Sequence, residues 1–248
     1  MPRKKHVTIE SGKAGTKHVR TMSGVIRHSI KIDYLLQLPH EYDKKTDTQW
    51  PLILFLHGSG ERLWSAGKLA TLGPAREATR RGLPFIVLTP HCPKDKWWAD
   101  AEMTVSVMEL LKSICETHRV DPARVYVTGM SMGGIGAWSL AQQYPDCFAA
   151  LAVVCGSGNP YLASRVASMP IRMYHGETDK NVPVFYALQM ERALRASNNH
   201  AKLTIYPGLG HSIWNRVYSD PDLYDWLAAQ RRSPDAPSGL TATKGTPK

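Results

Sequence analysis

Short apolar runs alternate along this chain with longer stretches whose apolar positions recur at helical spacing. The runs at 51–56, 85–88, 124–128, 148–155, 171–175 and 201–206 are rich in Val, Ile, Leu and Phe and read as buried strands. Segments 19–28 and 29–38 read as further extended strands ahead of Pro39. Helices are predicted over 67–81, with a break or restart at Gly73-Pro74, and over 100–119, 135–143, 182–197 and 221–230, with a short helix after the 148–155 strand. Strands alternating with helices imply an α/β fold with a mostly parallel central sheet and helices on both faces. In such sheets functional groups collect at the carboxyl ends of the strands. No repeat, second domain or insertion long enough for a large lid is visible. The expected organisation is a basic segment at 1–17, loose or an edge strand, one domain over 18–230, and a disordered Pro/Ser/Thr/Gly-rich tail at 231–248.

The chain has 248 residues, 43% of them hydrophobic, enough for one sizeable core. No run approaches a membrane span. The start, Met1–His6, is basic but no apolar signal segment follows it. The chain therefore reads as cytoplasmic, or as the trimmed form of a secreted protein. The net charge of +10 raises nucleic acid as a partner. Its distribution argues otherwise. Residues 1–31 carry eight Lys/Arg against one Glu, and 231–248 four against one Asp, which leaves 32–230 neutral. None of the four cysteines forms a C-x-x-C or a zinc-like spacing. Cys115 and Cys155 read as reduced core thiols, while Cys92 and Cys147, near loops, leave a disulfide open.

The most informative stretch is Gly129-Met130-Ser131-Met132-Gly133-Gly134, between the 124–128 strand and the 135–143 helix. Strand, G-x-S-x-G and helix describe a nucleophile elbow, a turn sharp enough to leave the serine hydroxyl projecting. A serine hydroxyl needs a base, and the base an orienting carboxylate. Downstream, Asp179 lies three residues past the Gly176 that closes a strand, with Glu177 the other acid in reach. His211 follows the last strand in a Gly-containing loop, whereas His200 precedes that strand and falls at the wrong sheet end. Ser131, Asp179 and His211 are the candidate catalytic residues. For the oxyanion the candidate donors are the N–H of Met132 and that of Ser59, with Gly60 second, in the His57-Gly58-Ser59-Gly60 loop. His57 reads as a brace for that loop. Glu61 and Arg62 read as charges that hold it, or else as contacts to a polar substrate group. Gly60, Trp98 and Trp214 are the substrate-binding candidates, Trp97 sharing the position of Trp98, and Met130 and Met132 make the site soft and apolar.

Leu56-His-Gly-Ser-Gly-Glu-Arg62, Thr89-Pro-His-Cys-Pro93 with Trp97-Trp98, the Gly-Met-Ser-Met-Gly-Gly elbow, His175-Gly-Glu-Thr-Asp179 and Gly210-His211 resemble the α/β-hydrolase superfamily. The resemblance is to its compact serine-esterase branch, including dienelactone-hydrolase-like, polyhydroxybutyrate-depolymerase-like and feruloyl- or acetyl-esterase-like enzymes. It spans about residues 30–230 and implies ester hydrolysis by Ser131, Asp179 and His211 on a small-molecule ester, with no cofactor and no metal. Dienelactone hydrolases themselves use cysteine where this chain has serine. Some relatives are labelled peptidases, so amide cleavage by the same triad is the alternative, and a non-catalytic binding scaffold the third reading.

Overall fold

The computed structural model describes residues 31–233 and 239–240. The basic segment at 1–17, the expected strand at 19–28 and most of the 231–248 tail lie outside the described residues. The strands are β1 (Tyr34–Gln37), β2 (Trp50–Leu56), β3 (Ile86–Pro90), β4 (Val120–Met130), β5 (Ala150–Val154), β6 (Ile171–Gly176) and β7 (Lys202–Tyr206). The α-helices are α1 (Gly73–Arg81), α2 (Ala101–Thr117), α3 (Met132–Gln143), α4 (Phe185–Ala196), α5 (Trp214–Ser219) and α6 (Pro221–Ala228). The strands form one sheet in the order β1-β3-β2-β4-β5-β6-β7. β1 runs antiparallel to β3 and every other neighbouring pair is parallel.

Side-chain alternation divides β2 between two cores. Leu52, Leu54 and Leu56 face one layer, with Val107 and Leu111 of α2, Trp138 and Leu140 of α3, and Met190 and Leu194 of α4. Ile53 and Phe55 face the other, with Ala75 of α1, Val217 and Tyr218 of α5, and Leu223 and Leu227 of α6. Each fully buried side chain of this size contributes about 1.5–3 kcal/mol. Among the described residues no helix is long and apolar enough to cross a membrane. All four cysteines are free thiols, which closes the disulfide left open for Cys92 and Cys147.

Three elements differ from the expected pattern. β4 begins at Val120 rather than 124, because a register irregularity against β2 lets Val120 pair with Trp50 and Val125 with Leu52. The helix expected over 67–81 is a 3-10 turn, Ala66–Thr71, followed by a restart at Gly73-Pro74. α5 has no counterpart in the sequence reading, since six residues are too few to display a period.

The loop after β2 is built around a histidine. His57 is fully buried; its Nδ1–H donates to the Gly58 carbonyl (2.7 Å) and its Nε2 accepts the Cys92 N–H (3.1 Å). Both ring nitrogens are used by the neutral ring. Burial drives its pKa from 6.5 down to about 4, with the Gly58 hydrogen bond opposing and His91 and Arg62 assisting. The unfolded chain takes up this proton near 6.5 and the folded one only near 4. The contribution to stability is therefore intact above pH 6.5 and is lost as pH falls toward 4. The loss is on the order of 3 kcal/mol. Urea denaturation across that interval should show it, and His57→Gln should flatten the slope. An equal slope in the variant would remove His57 as its cause.

Candidate active site

The β4–α3 turn holds Ser131 at φ 54°, ψ −122°, a conformation that side chains rarely adopt. The Ser131 N–H donating to the Val154 carbonyl (2.9 Å) and the packing of α3 hold it there. Glycine at 133 is a steric requirement. A Cβ there would lie 1.9 Å from the Leu56 carbonyl oxygen and 2.6 Å from that of His57. Helix α3 thus starts against the end of β2, beside the oxyanion loop.

Ser131 and His211 meet at 2.8 Å (Oγ to Nε2), and His211 Nδ1 lies 2.7 Å from Asp179 Oδ2. A carboxylate only accepts, so Nδ1 carries the proton and Nε2 is free to accept from the serine hydroxyl. The structure therefore brings together the three predicted residues from the ends of β4, β6 and β7. The Asp and His loops touch backbone to backbone, and a Cβ on Gly176 would lie 2.0 Å from the Gly210 carbonyl oxygen. Glu177 accepts the Gly208 N–H (2.7 Å), so it ties down the His211 loop and is not the acid of the pair. His200 is exposed at the start of β7, at the opposite end of the sheet.

Asp179 is buried and well supplied with donors. Oδ1 accepts the N–H groups of Asn181 and Val182 (both 2.9 Å). Burial would raise its pKa, but the His211 hydrogen bond and these two N–H groups outweigh burial and hold it below the usual carboxylate range. Sequence reasoning missed one neighbour. His175 is buried, with Nε2 2.7 Å from the Val182 carbonyl and 3.3 Å from Asp179 Oδ2. The signal was its fixed place in His-Gly-Glu-Thr-Asp, four residues before the acid. Cys155 donates its S–H to the His211 carbonyl (3.1 Å), and burial pushes its thiol up to about 12.

A cavity of about 550 Å³ opens beside Ser131. Ser59, Gly60, Met132 and Trp214 line it, with Met130 and Ile135. Met132 is the first residue of α3, so its N–H has no acceptor within the helix. Three successive carbonyls of the β2 loop are tied by side-chain donors. Trp98 Nε1–H reaches His57 O (2.9 Å), His57 reaches Gly58 O, and Arg62 Nε–H reaches Ser59 O (3.1 Å). Because a trans peptide is planar, pinning the Gly58 carbonyl also sets the direction of the Ser59 N–H. Trp98 is therefore corrected as a substrate-binding candidate. It is 1% exposed and packs edge-on against His57 (5.2 Å), outside the cavity lining. Trp97 takes that place, 49% exposed, at the start of a turn closed by its N–H donating to Asp100 Oδ2. Arg62 also donates to the Lys94 and Lys96 carbonyls (3.0 and 3.2 Å) and lies over Trp97, as a brace would, while Glu61 lines the cavity.

A thermostable esterase of known structure is 28% identical, superposing with a TM-score of 0.74 over 82% of this chain and 60% of its own. Esterase PE8, at 18% identity, shares the fold with a TM-score of 0.60 over 80% of this chain and 97% of its own. Poly(3-hydroxyalkanoate) depolymerase C of Paucimonas lemoignei is 28% identical over 126 residues, 45% of this chain. The chain spans only 28% of that depolymerase's length. The model of the dienelactone hydrolase family matches residues 91–235. With the elbow, the parallel sheet and that match in hand, this chain belongs to the dienelactone hydrolase family, within the α/β-hydrolases.

Proposed function

We propose that this protein is a serine carboxylic-ester hydrolase working through an acyl-enzyme on Ser131. The observation that carries the reading is the continuous hydrogen-bonded line from Ser131 Oγ through His211 to Asp179, starting from a strained serine at the cavity floor. His211 takes the hydroxyl proton as Ser131 attacks the ester carbonyl. Asp179, ionised and buried, orients the ring and stabilises the imidazolium. The N–H groups of Ser59 and Met132 receive the oxyanion. His211 then protonates the leaving alcohol, and water repeats the sequence on the acyl-enzyme. Cysteine in the nucleophile's place is disfavoured on two counts. Position 131 is serine, and the thiol against the His211 carbonyl, Cys155, is buried, with its pKa pushed up to about 12.

Hydrolysis of p-nitrophenyl esters from acetate to long-chain acyl, wild type beside Ser131→Ala, tests the reading. Turnover should fall by about 10⁴-fold or more in the variant. Unchanged turnover, or none in the folded wild type, would overturn it.

In this reading His175 is a positioning residue. Its Nε2–H donates to the Val182 carbonyl and lies 3.3 Å from Asp179 Oδ2, so it holds the loop whose N–H groups hold that acid. Losing this bond leaves the buried Val182 carbonyl unpaired, at about 1–3 kcal/mol, which is about 5–100-fold in rate where it is felt at the acid. His175→Ala should lower kcat by that amount with little change in KM. His175→Gln, whose amide N–H reaches a similar point, should recover most of it. Equal loss in both, or a loss confined to KM, would mean the ring acts only through packing.

A further inference from the structure

One charged side chain in the cavity is unaccounted for by the chemistry above. Glu61 lines the cavity one residue after Gly60. Its Oε2 sits 2.9 Å from where a Cβ on Gly58 would be, so the carboxylate folds back over the start of the oxyanion loop. Among the described residues it has no ion pair and no side-chain hydrogen bond, unlike its neighbour Arg62. The Arg62 guanidinium is spent on three backbone carbonyls. Among the described residues no Lys or Arg lines the cavity.

A free carboxylate here works against the reaction. It adds negative charge beside the place where the oxyanion forms, and repulsion there raises the barrier. A structural role would be met by pairing the carboxylate, and it is unpaired. The cost is offset when the substrate brings a positive charge of its own. The indole of Trp214 stands in the same cavity, and indole rings attract cations, whereas Trp97 already carries the Arg62 guanidinium over its ring.

We propose that Glu61 makes this site selective for esters with a cationic alkylammonium group over their neutral isosteres, and selective against anionic ones. The proposal rests on the serine-hydrolase reading and adds the charge class of the substrate.

Three thioacetates test it, with thiol release as the readout: acetylthiocholine, its uncharged carbon isostere S-(3,3-dimethylbutyl) thioacetate, and the anionic S-acetyl-3-mercaptopropanesulfonate. The expected order of kcat/KM is cationic, neutral, anionic. The cationic-to-neutral ratio should be about fivefold or more at low salt, the value of one exposed cation–aromatic or ion-pair contact. It should shrink in about 0.5 M NaCl, where screening acts over a few ångströms. Glu61→Gln should bring the ratio toward one and Glu61→Lys should invert it. A wild-type ratio of one or below, or one indifferent to salt, overturns the proposal without needing any variant. So does a ratio unchanged by Glu61→Gln. The neutral isostere keeps the two readings apart. If it is cleaved in a Ser131-dependent way while the ratio is flat, the ester-hydrolase reading stands and the charge proposal fails. If none of the three is cleaved, nor any p-nitrophenyl ester, both fail together.

Discussion

The site depends on one close approach, that of the start of α3 to the end of β2. Only a residue without a side chain fits at 133, where the Leu56 and His57 carbonyls press in. That contact fixes three things at once. It sets how tightly β4 must turn, and so places Ser131 at φ 54°. It brings the unpaired Met132 N–H beside the loop that carries Ser59 and Gly60. It also makes the carbonyls of that loop part of the packing surface, so they cannot rotate freely. Strain of this kind costs about 1–3 kcal/mol and persists because the surrounding sheet and α3 over-determine it.

The β2 loop solves the complementary problem, how to hold backbone donors still without burying unpaired groups. A loop with free N–H groups must satisfy its carbonyls elsewhere. Here Trp98, His57 and Arg62 each take one, in sequence. Two of these three pins carry no charge, since His57 is held neutral by burial. The third, Arg62, is positive, and its guanidinium is shared among three backbone carbonyls. The donors are therefore fixed before substrate arrives, which is where electrostatic stabilisation gains its advantage over water.

Much of this was legible in the sequence, and the parts that were not share a cause. The elbow, the acid and the base each carry a local signature: glycines at fixed offsets from Ser131, a strand end before Asp179, a glycine-bearing loop before His211. The chain order of strands and helices was legible for the same reason, because burial imposes a period. What escaped depends on orientation within a turn. Trp97 and Trp98 are adjacent and chemically identical, and only the folded turn decides that one faces the cavity and the other supports His57. The role of His175 needs the Val182 carbonyl, which reaches it through space from the loop before α4. The α5 segment is a single short turn of helix placed by its contacts with the Phe55 side of the sheet.

The supply of donors to Asp179 bears on why a serine suffices here. The acid is a buried negative charge compensated by two backbone N–H groups and the N–H of His211. In the proposed reaction, when His211 takes the Ser131 proton, the new positive charge appears directly against that carboxylate, at 2.7 Å. In the proposed reaction the negative charge passes to the substrate carbonyl oxygen, beside Met132 and the Ser59 loop. Proton transfer therefore creates an ion pair where one was prepared, instead of separating charge into an unprepared interior. In a low-dielectric site that difference is large. It lets a hydroxyl, poorly acidic on its own, serve in a turn whose thiol-bearing neighbour, Cys155, stays protonated and is committed to holding the His211 carbonyl. The division of labour follows from burial. In the proposed reaction the thiol positions the base, and the half-buried hydroxyl at the strained turn, which lines the cavity, meets the substrate.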